Sequence, residues 1–268
     1  MKKLLVLCLV CSMLLCSAMA ETAYGLNGIT ADGTYEAKVT RKIRFMGEGL
    51  LDHYYIMQGA ATDGEYGYFI VESRAMTLCS IMKIDLDTWE IVDRVYELPL
   101  DHGNSMTYNP KLDQFIVVHC KPNGQRLSFL DRETLTVVST LDMPITMCSI
   151  SYNEKRDQYV IGHYDNKHFS VCDSEFNILA TYDTYEDTFN NQGSDCDDDY
   201  IYLIEWDKKK LNSNHIMVYD WDGNYVNQVT VKSMNEIESL FHTADKLVIT
   251  FFAQQADVYE AEIVEKSK

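Results

Sequence analysis

The chain has 268 residues, and its 41 acidic and 23 basic residues give a formal net charge of −18. A surface this acidic repels phosphate backbones and anionic lipid, so composition argues against nucleic-acid binding and against attachment to a membrane surface. An acidic surface also keeps a protein soluble; the more specific reading is a basic or cationic partner, or Ca²⁺.

The N-terminus has the three parts of a secretory signal peptide. A basic start at Lys2 and Lys3 precedes an apolar run over residues 4–15, and Ala18-Met19-Ala20 is a small-x-small cleavage site. The run is too short for an ordinary membrane span, and no later segment is long and apolar enough to be one. We therefore expect residues 1–20 to be removed and the protein to be secreted, extracellular or cell-wall associated, with no membrane span.

Five cysteines follow the predicted cleavage site, so at least one thiol must be unpaired. They are Cys79, Cys120, Cys148, Cys172 and Cys196. Their spacing is too wide for paired zinc ligands. The sequence leaves one disulfide open and does not select its partners.

A pattern of short strand, polar turn and strongly apolar strand occurs five times. Its aromatic or aliphatic anchors are Tyr68, Phe115, Tyr159, Tyr202 and Leu247, and their residue numbers give spacings of 47, 44, 43 and 45. A repeat of roughly 40–50 residues built from short strands is typical of a propeller blade.

The second half of each repeat predicts a hairpin, and aspartate begins each hairpin turn because its side chain can accept nearby backbone N–H groups. These hairpins span residues 81–98, 127–141, 170–182 and 216–231. The fifth repeat ends without a fourth strand, whereas residues 35–45 form an unassigned strand before the first repeat. Pairing the two would close the ring and remove an exposed edge.

The predicted fold is thus all-β: a five-bladed β-propeller of four-stranded antiparallel blades, closed by the N-terminal strand. It spans residues 35–268 as one domain, and residues 21–34 form a flexible lead-in. We expect a monomer.

By analogy with other propellers, ligands bind on the face where the first strands begin and the second strands end. Polar residues at those positions form the predicted ligand-binding set. They are Gln58, His102, Asn104, His119, His163, Gln192 and Glu205. The alternative for each is a structural role, in which it satisfies a strand end that faces water.

Oxygen-rich side chains near the predicted axis also suggest a metal site. Asp195 and Glu238 are the predicted metal ligands, with Asn104 and Gln58 as further oxygen donors, and such a set suits Ca²⁺ or Mg²⁺. The other acids of residues 195–199 fit a solvated turn, because the run lacks the glycine and distal glutamate of an EF-hand loop.

An acid–base site is a further possibility, with His102, His119 or His163 paired with Glu72, Glu205 or Glu238. The chain carries no G-x-S-x-G, H-E-x-x-H or phosphate-loop signature, so the familiar hydrolase and nucleotide mechanisms gain no support.

Two stretches resemble known secreted propeller families. Gln58-Gly59 with Asp63-Gly64 and Tyr66-x-Tyr68, followed by residues 102–109 (His-Gly-Asn-x-Met-Thr-Tyr-Asn), resembles the helveticin J-like group. That resemblance implies an extracellular five-bladed propeller with Gln58, His102 and Asn104 at its axis. Residues 235–238, Asn-Glu-Ile-Glu, resemble a strand of bacterial-type glutaminyl cyclotransferases.

The leading functional hypothesis is a secreted binding propeller that recognises an extracellular glycan or peptide at its axial polar face. The alternatives are a propeller enzyme, either a metal-assisted lactonase-like hydrolase or a glutaminyl cyclotransferase, and a bacteriocin-like protein. No cofactor is assured, and Ca²⁺ is the ion that the oxygen donors would hold.

Overall fold

The computed structural model describes residues 26–45, 54–73, 77–185, 189–207, 213–252 and 257–266. The predicted signal peptide and the first part of the lead-in, residues 21–25, lie outside the described residues. Within the described ranges, none of the helical structure is long and apolar enough to cross a membrane.

The described chain is built almost entirely from strands. They are β1 (Tyr35–Arg44), β2 (Tyr54–Thr62), β3 (Tyr66–Ser73), β4 (Cys79–Asp85), β5 (Ile91–Leu98), β6 (Ser105–Asn109), β7 (Gln114–Val118), β8 (Arg126–Asp131), β9 (Val137–Asp142), β10 (Met147–Asn153), β11 (Gln158–His163), β12 (His168–Cys172), β13 (Ile178–Asp183), β14 (Asn190–Cys196), β15 (Tyr200–Trp206), β16 (Asn214–Asp220), β17 (Tyr225–Val231), β18 (Ile237–His242), β19 (Leu247–Phe251) and β20 (Asp257–Glu265). A 3-10 turn, Leu26–Gly28, precedes them.

Three sheets are four-stranded and antiparallel, with their strands in chain order: β2–β5, β6–β9 and β10–β13. The remaining strands form one eight-stranded mixed sheet in the order β14-β15-β16-β17-β1-β20-β19-β18. The fold is therefore all-β and propeller-like, as the repeats predict.

The N-terminal strand pairs with the last strand of the chain, as predicted. β1 pairs antiparallel with β20 from Tyr35 opposite Glu265 to Arg44 opposite Asp257. A short parallel pairing between Tyr35–Ala37 of β1 and β17 joins the two halves of the eight-stranded sheet. β1 thus lies between β17 and β20 and covers an edge of each of these two strands.

Part of the predicted lead-in is packed against the sheets. Leu26 and Ile29 are buried in the same apolar cluster as β16 and β17. Asn227 donates hydrogen bonds from Nδ2 to the carbonyl oxygens of Thr30 (2.6 Å) and Gly33 (3.0 Å). These contacts hold residues 26–34 on the domain.

The apolar cores lie between neighbouring sheets rather than within one. Tyr68 of β3 packs on Phe115 of β7 with ring centroids 4.2 Å apart. Large rings fill the wedge-shaped space between sheets. The five cysteines within the described ranges are buried free thiols.

The hairpin turns follow the predicted aspartate chemistry. Asp85 Oδ1 accepts the backbone N–H groups of Asp87 (3.0 Å) and Thr88 (2.7 Å). Asp131, Asp173 and Asp220 do the same in the corresponding turns.

Five strands, which we call the first strands, surround a common axis: β2, β6, β10, β14 and β18. Each contacts the next, and β18 contacts β2. The approach is close: a Cβ added to Gly59 of β2 would lie 2.8 Å from the backbone of Ser105 of β6. The backbone N–H of Ala60 donates to Ser239 Oγ of β18 at 3.0 Å.

Candidate functional site

One position of the repeat carries the residues that face the axis. Four of the first strands have a register irregularity there, between Met57 and Ala60, Met147 and Ser149, Asn191 and Gly193, and Ile237 and Ser239. A bulge leaves one residue unpaired and re-aims its side chain. The residues at this position are Gln58, Asn104, Cys148, Gln192 and Glu238, which we call the axial ring.

All five members of the axial ring line one cavity of about 360 Å³ at the end of the axis where the first strands begin. His102 lines it too, so five predicted site residues come together here: Gln58, His102, Asn104, Gln192 and Glu238. This volume lies at the small end of the range typical of ligand pockets.

Asn104 ties three sheets together at the cavity floor. Its Nδ2 group donates to the carbonyl oxygen of Cys148 at 2.7 Å and to that of Gln192 at 2.8 Å. The side chain is 2 % exposed, so both bonds are shielded from water. Asn104 therefore has a structural role as well as a place in the cavity wall.

Glu238 is a buried carboxyl in the cavity wall with a strongly perturbed pKa. It is 3 % exposed, and no described residue donates a hydrogen bond to its carboxyl group. Burial, reinforced by the charges of Glu236 and Glu72, raises the pKa of Glu238 well above its usual range. Burial of this kind favours the neutral, protonated form of the carboxyl.

Two other glutamates stand close to Glu238. Glu236 accepts a hydrogen bond from Gln192 Nε2, and the fully buried Glu72 lies 2.7 Å from His102 Nδ1 through Oε1. The second oxygen of Glu72 and the amide oxygen of Gln58 are buried with no hydrogen-bond partner. Of these two residues only Gln58 lines the cavity, so the cavity presents one unsatisfied acceptor together with the carboxyl of Glu238, which favours a ligand with hydrogen-bond donors.

The remaining wall comes from loops that follow the second strands. Lys121 and Tyr164 line the cavity side by side, with Lys121 Nζ 5.0 Å from the Tyr164 ring centroid. A hydrogen bond to Tyr164 raises the pKa of Lys121. Trp206 and Phe252 add aromatic surface.

The predicted residues at the ends of the second strands do not line this cavity. His119 is buried, with Nδ1 2.7 Å from Asp101 Oδ2 and Nε2 2.7 Å from Ser128 Oγ. Burial lowers its pKa despite the neighbouring Asp101 carboxylate. His163 likewise contacts Ser170 Oγ through Nε2 at 2.8 Å, and Glu205 is buried on β15 opposite Asn191.

The two predicted metal ligands are also separated. Asp195 lines a second cavity with His242 toward the other end of the first strands, whereas Glu238 lines the axial cavity. Asp195 Oδ2 lies 2.6 Å from His242 Nδ1. Asp195 comes three positions after Gln192 on the same strand, and that rise carries its side chain away from Glu238.

Sequence reasoning missed Lys121, Tyr164 and Asn166. Each follows closely after His119 or His163, at the point where the second strand gives way to its loop. Those two histidines turn toward serines of their own sheets. The residues that follow them therefore line the cavity instead. Cys148 was detectable as the repeat equivalent of Gln58, but it carries no polar signal.

No protein-family model matches the chain, and no curated protein matches it. Solved structures do. A crystal structure of Myxococcus xanthus glutaminyl cyclase has a TM-score of 0.62 and 9 % identity, and the match covers 88 % of this chain and 99 % of that one. Kuenenia stuttgartiensis hydrazine synthase matches with a TM-score of 0.49 and 9 % identity, over 83 % of this chain and 66 % of that one.

The likeness to the glutaminyl cyclase supports the propeller-like fold over nearly the whole described chain. At 9 % identity it concerns the fold alone. Function must therefore be argued from the cavity.

Proposed function

We propose that the chain is a secreted five-bladed propeller whose axial cavity binds the free N-terminal end of an extracellular peptide. The closed succession of contacts among β2, β6, β10, β14 and β18 supports five blades, with the eight-stranded sheet counted as two. The signal-peptide pattern supports secretion.

The observation that carries the ligand class is the unsatisfied amide oxygen of Gln58 in the same cavity as the buried carboxyl of Glu238. A peptide ammonium offers three donors and a positive charge, and two glutamates, Glu236 and Glu238, line the cavity against one lysine, Lys121. On binding, Glu238 would release its proton and accept a charge-assisted hydrogen bond from the ammonium group. A neutral glycan also offers donors, but it carries no positive charge to pair with the glutamates of the cavity.

Affinity selection tests this proposal. The protein spanning residues 21–268 is immobilised and offered short peptides with free N-termini, the same peptides N-acetylated, and a panel of neutral glycans. Free-amine peptides should be retained, and acetylation should weaken retention at least tenfold, or about 1.4 kcal/mol. Glu238→Gln should lose the preference, while Glu175→Gln, at an exposed turn position, should keep it.

Retention of glycans with no preference for free amines would contradict the proposal. Equal retention of acetylated and free peptides would also contradict it, because the cavity would then not be binding an ammonium group.

A second candidate is an enzyme that cyclises an N-terminal glutamine with release of ammonia. The raised pKa of Glu238 favours it, because a carboxyl that is protonated near neutral pH can donate a proton to a leaving group. Incubation with N-terminal glutaminyl peptides should then release ammonia from wild type and not from Glu238→Gln. Binding without ammonia release would rule out the enzyme and support the binding function.

The metal-assisted lactonase alternative is less well supported. It relied on Asp195 and Glu238 acting together, and these two side chains line different cavities.

A further inference from the structure

The loop between β11 and β12 brings two imidazoles and a carboxylate together. One ligand atom from each of His163, Asp165 and His168 lies within 4.8 Å of the others. In the part of the chain that the structure describes, no other three histidine, cysteine or acidic side chains meet this condition. The cluster lies outside the axial cavity.

Hydrogen bonds behind His163 fix the orientation of its ring. Nε2 lies 2.8 Å from Ser170 Oγ, and that oxygen lies 2.8 Å from Thr181 Oγ1. No described residue forms a hydrogen bond with Nδ1, which is left for a ligand. Metal-binding histidines characteristically use their second nitrogen in this way, because the bond sets the tautomer and the direction of the ring.

The other two members are also held in place. Asp165 Oδ1 accepts the backbone N–H groups of Lys167 (2.9 Å) and His168 (3.2 Å), while Oδ2 lies 2.6 Å from His168 Nδ1. Nε2 of His168 lies 3.3 Å from Asp183 Oδ1. Asp183 therefore contacts the nitrogen of His168 that faces away from Asp165.

The equivalent histidine of the preceding repeat shows that this arrangement is particular to one loop. His119 also contacts a serine through Nε2, but its Nδ1 is engaged by Asp101 at 2.7 Å. At His163 that internal partner is missing among the described residues, and the loop supplies Asp165 and His168 instead.

We propose that His163, Asp165 and His168 bind one divalent transition-metal ion, with zinc as the best fit. Imidazole and carboxylate ligands suit zinc, whereas Ca²⁺ and Mg²⁺ prefer oxygen donors throughout. With bonds of about 2.0–2.1 Å, tetrahedral ligands stand roughly 3.4 Å apart. The ion takes the place of the proton shared by His168 and Asp165, and water completes the four ligands.

This metal site would also stiffen the axial cavity. The same loop carries Tyr164 and Asn166, which line that cavity. Asn166 Oδ1 accepts the backbone N–H of Asn191 at 3.0 Å, next to Gln192 of the axial ring. Zinc would fix the loop from its outer side while these residues form the wall on its inner side.

Calorimetric titration with zinc chloride tests the site, using tag-free protein of residues 21–268 that has been stripped with a chelator. We expect one zinc ion per chain at micromolar affinity or tighter. His168→Gln should weaken binding more than about 100-fold, and Ser170→Ala about 10- to 100-fold, as is usual for partners behind the ligands. His102→Gln, which removes a histidine paired with a single carboxylate, should leave zinc binding unchanged.

Thermal unfolding of each variant without zinc shows whether that variant is folded. Because His168 is partly exposed, we expect His168→Gln to be folded. Absence of saturable zinc binding to wild type would overturn the site. Wild-type affinity in folded His168→Gln would overturn it equally, since the zinc would then be bound elsewhere.

Discussion

The stability of this protein should fall with rising pH because of one buried carboxyl, Glu238. The folded protein keeps the Glu238 proton at pH values where the unfolded chain, with an ordinary pKa of 4.5, has lost it. The stability from this group is thus fully present below pH 4.5 and is lost as pH rises through the elevated folded pKa. Glu238→Gln keeps the shape of the neutral side chain and removes the titration.

The size of the effect follows from proton linkage. While the folded state holds one more proton than the unfolded state, the free energy of unfolding falls by about 1.4 kcal/mol per pH unit. The loss accumulates over the whole interval between the ordinary pKa of 4.5 and the raised folded pKa. Even one pH unit of this interval is a noticeable part of the stability of an ordinary domain.

Urea unfolding of wild type and Glu238→Gln at several pH values between 4.5 and 8 measures this difference directly. The variant should gain on wild type steadily as pH rises, whereas the exposed control Glu175→Gln should follow wild type throughout. Parallel curves for wild type and Glu238→Gln would refute the reasoning, because Glu238 would then titrate alike in the folded and unfolded states.

Three further outcomes are expected. Gly59→Ala should lower the free energy of unfolding by about 1–3 kcal/mol, because the added methyl overpacks the space between first strands. Gly28→Ala is the control: nothing lies within 4 Å of the added Cβ, so it should change the free energy of unfolding little. A similar loss in both variants would contradict the close approach of the strands at Gly59. Asn104→Ala should cost about 2–4 kcal/mol in urea unfolding, since it strands two shielded carbonyl groups; a loss under 1 kcal/mol would show that water replaces them. Burial acts to lower the pKa of His242, but the charge and hydrogen bond of Asp195 outweigh it and raise that pKa. The pair should therefore stabilise the fold below pH 6.5 and lose that contribution as pH rises through the elevated pKa. An Asp195→Asn variant whose stability depends on pH as wild type does would argue against this pairing.

The propeller-like fold could be predicted because its signals are local and repeated. The spacing of Tyr68, Phe115, Tyr159, Tyr202 and Leu247 reports the second strands, and aspartate marks the hairpin turns. The pairing of residues 35–45 with the end of the chain also followed from the sequence, since the last repeat lacked a strand.

The cavity could be predicted only in part. Gln58, Asn104, Gln192 and Glu238 all stand near the starts of the first strands, so their convergence was visible in the sequence. The direction of a side chain at a strand end was not, because a bulge or a serine on the next strand decides it. His119 therefore turns into its own sheet and leaves the cavity wall to the loop that follows.

Calorimetric titration with a short peptide, in two buffers with different ionisation enthalpies, tests the central claim most directly. Wild type should bind the free-amine peptide at pH 7 with release of a proton, and it should bind the N-acetylated form at least tenfold more weakly; Glu238→Gln should show no proton release. Equal affinity for the two peptides, or binding without a proton released from wild type, would contradict an axial cavity built around a protonated Glu238 that receives an ammonium group.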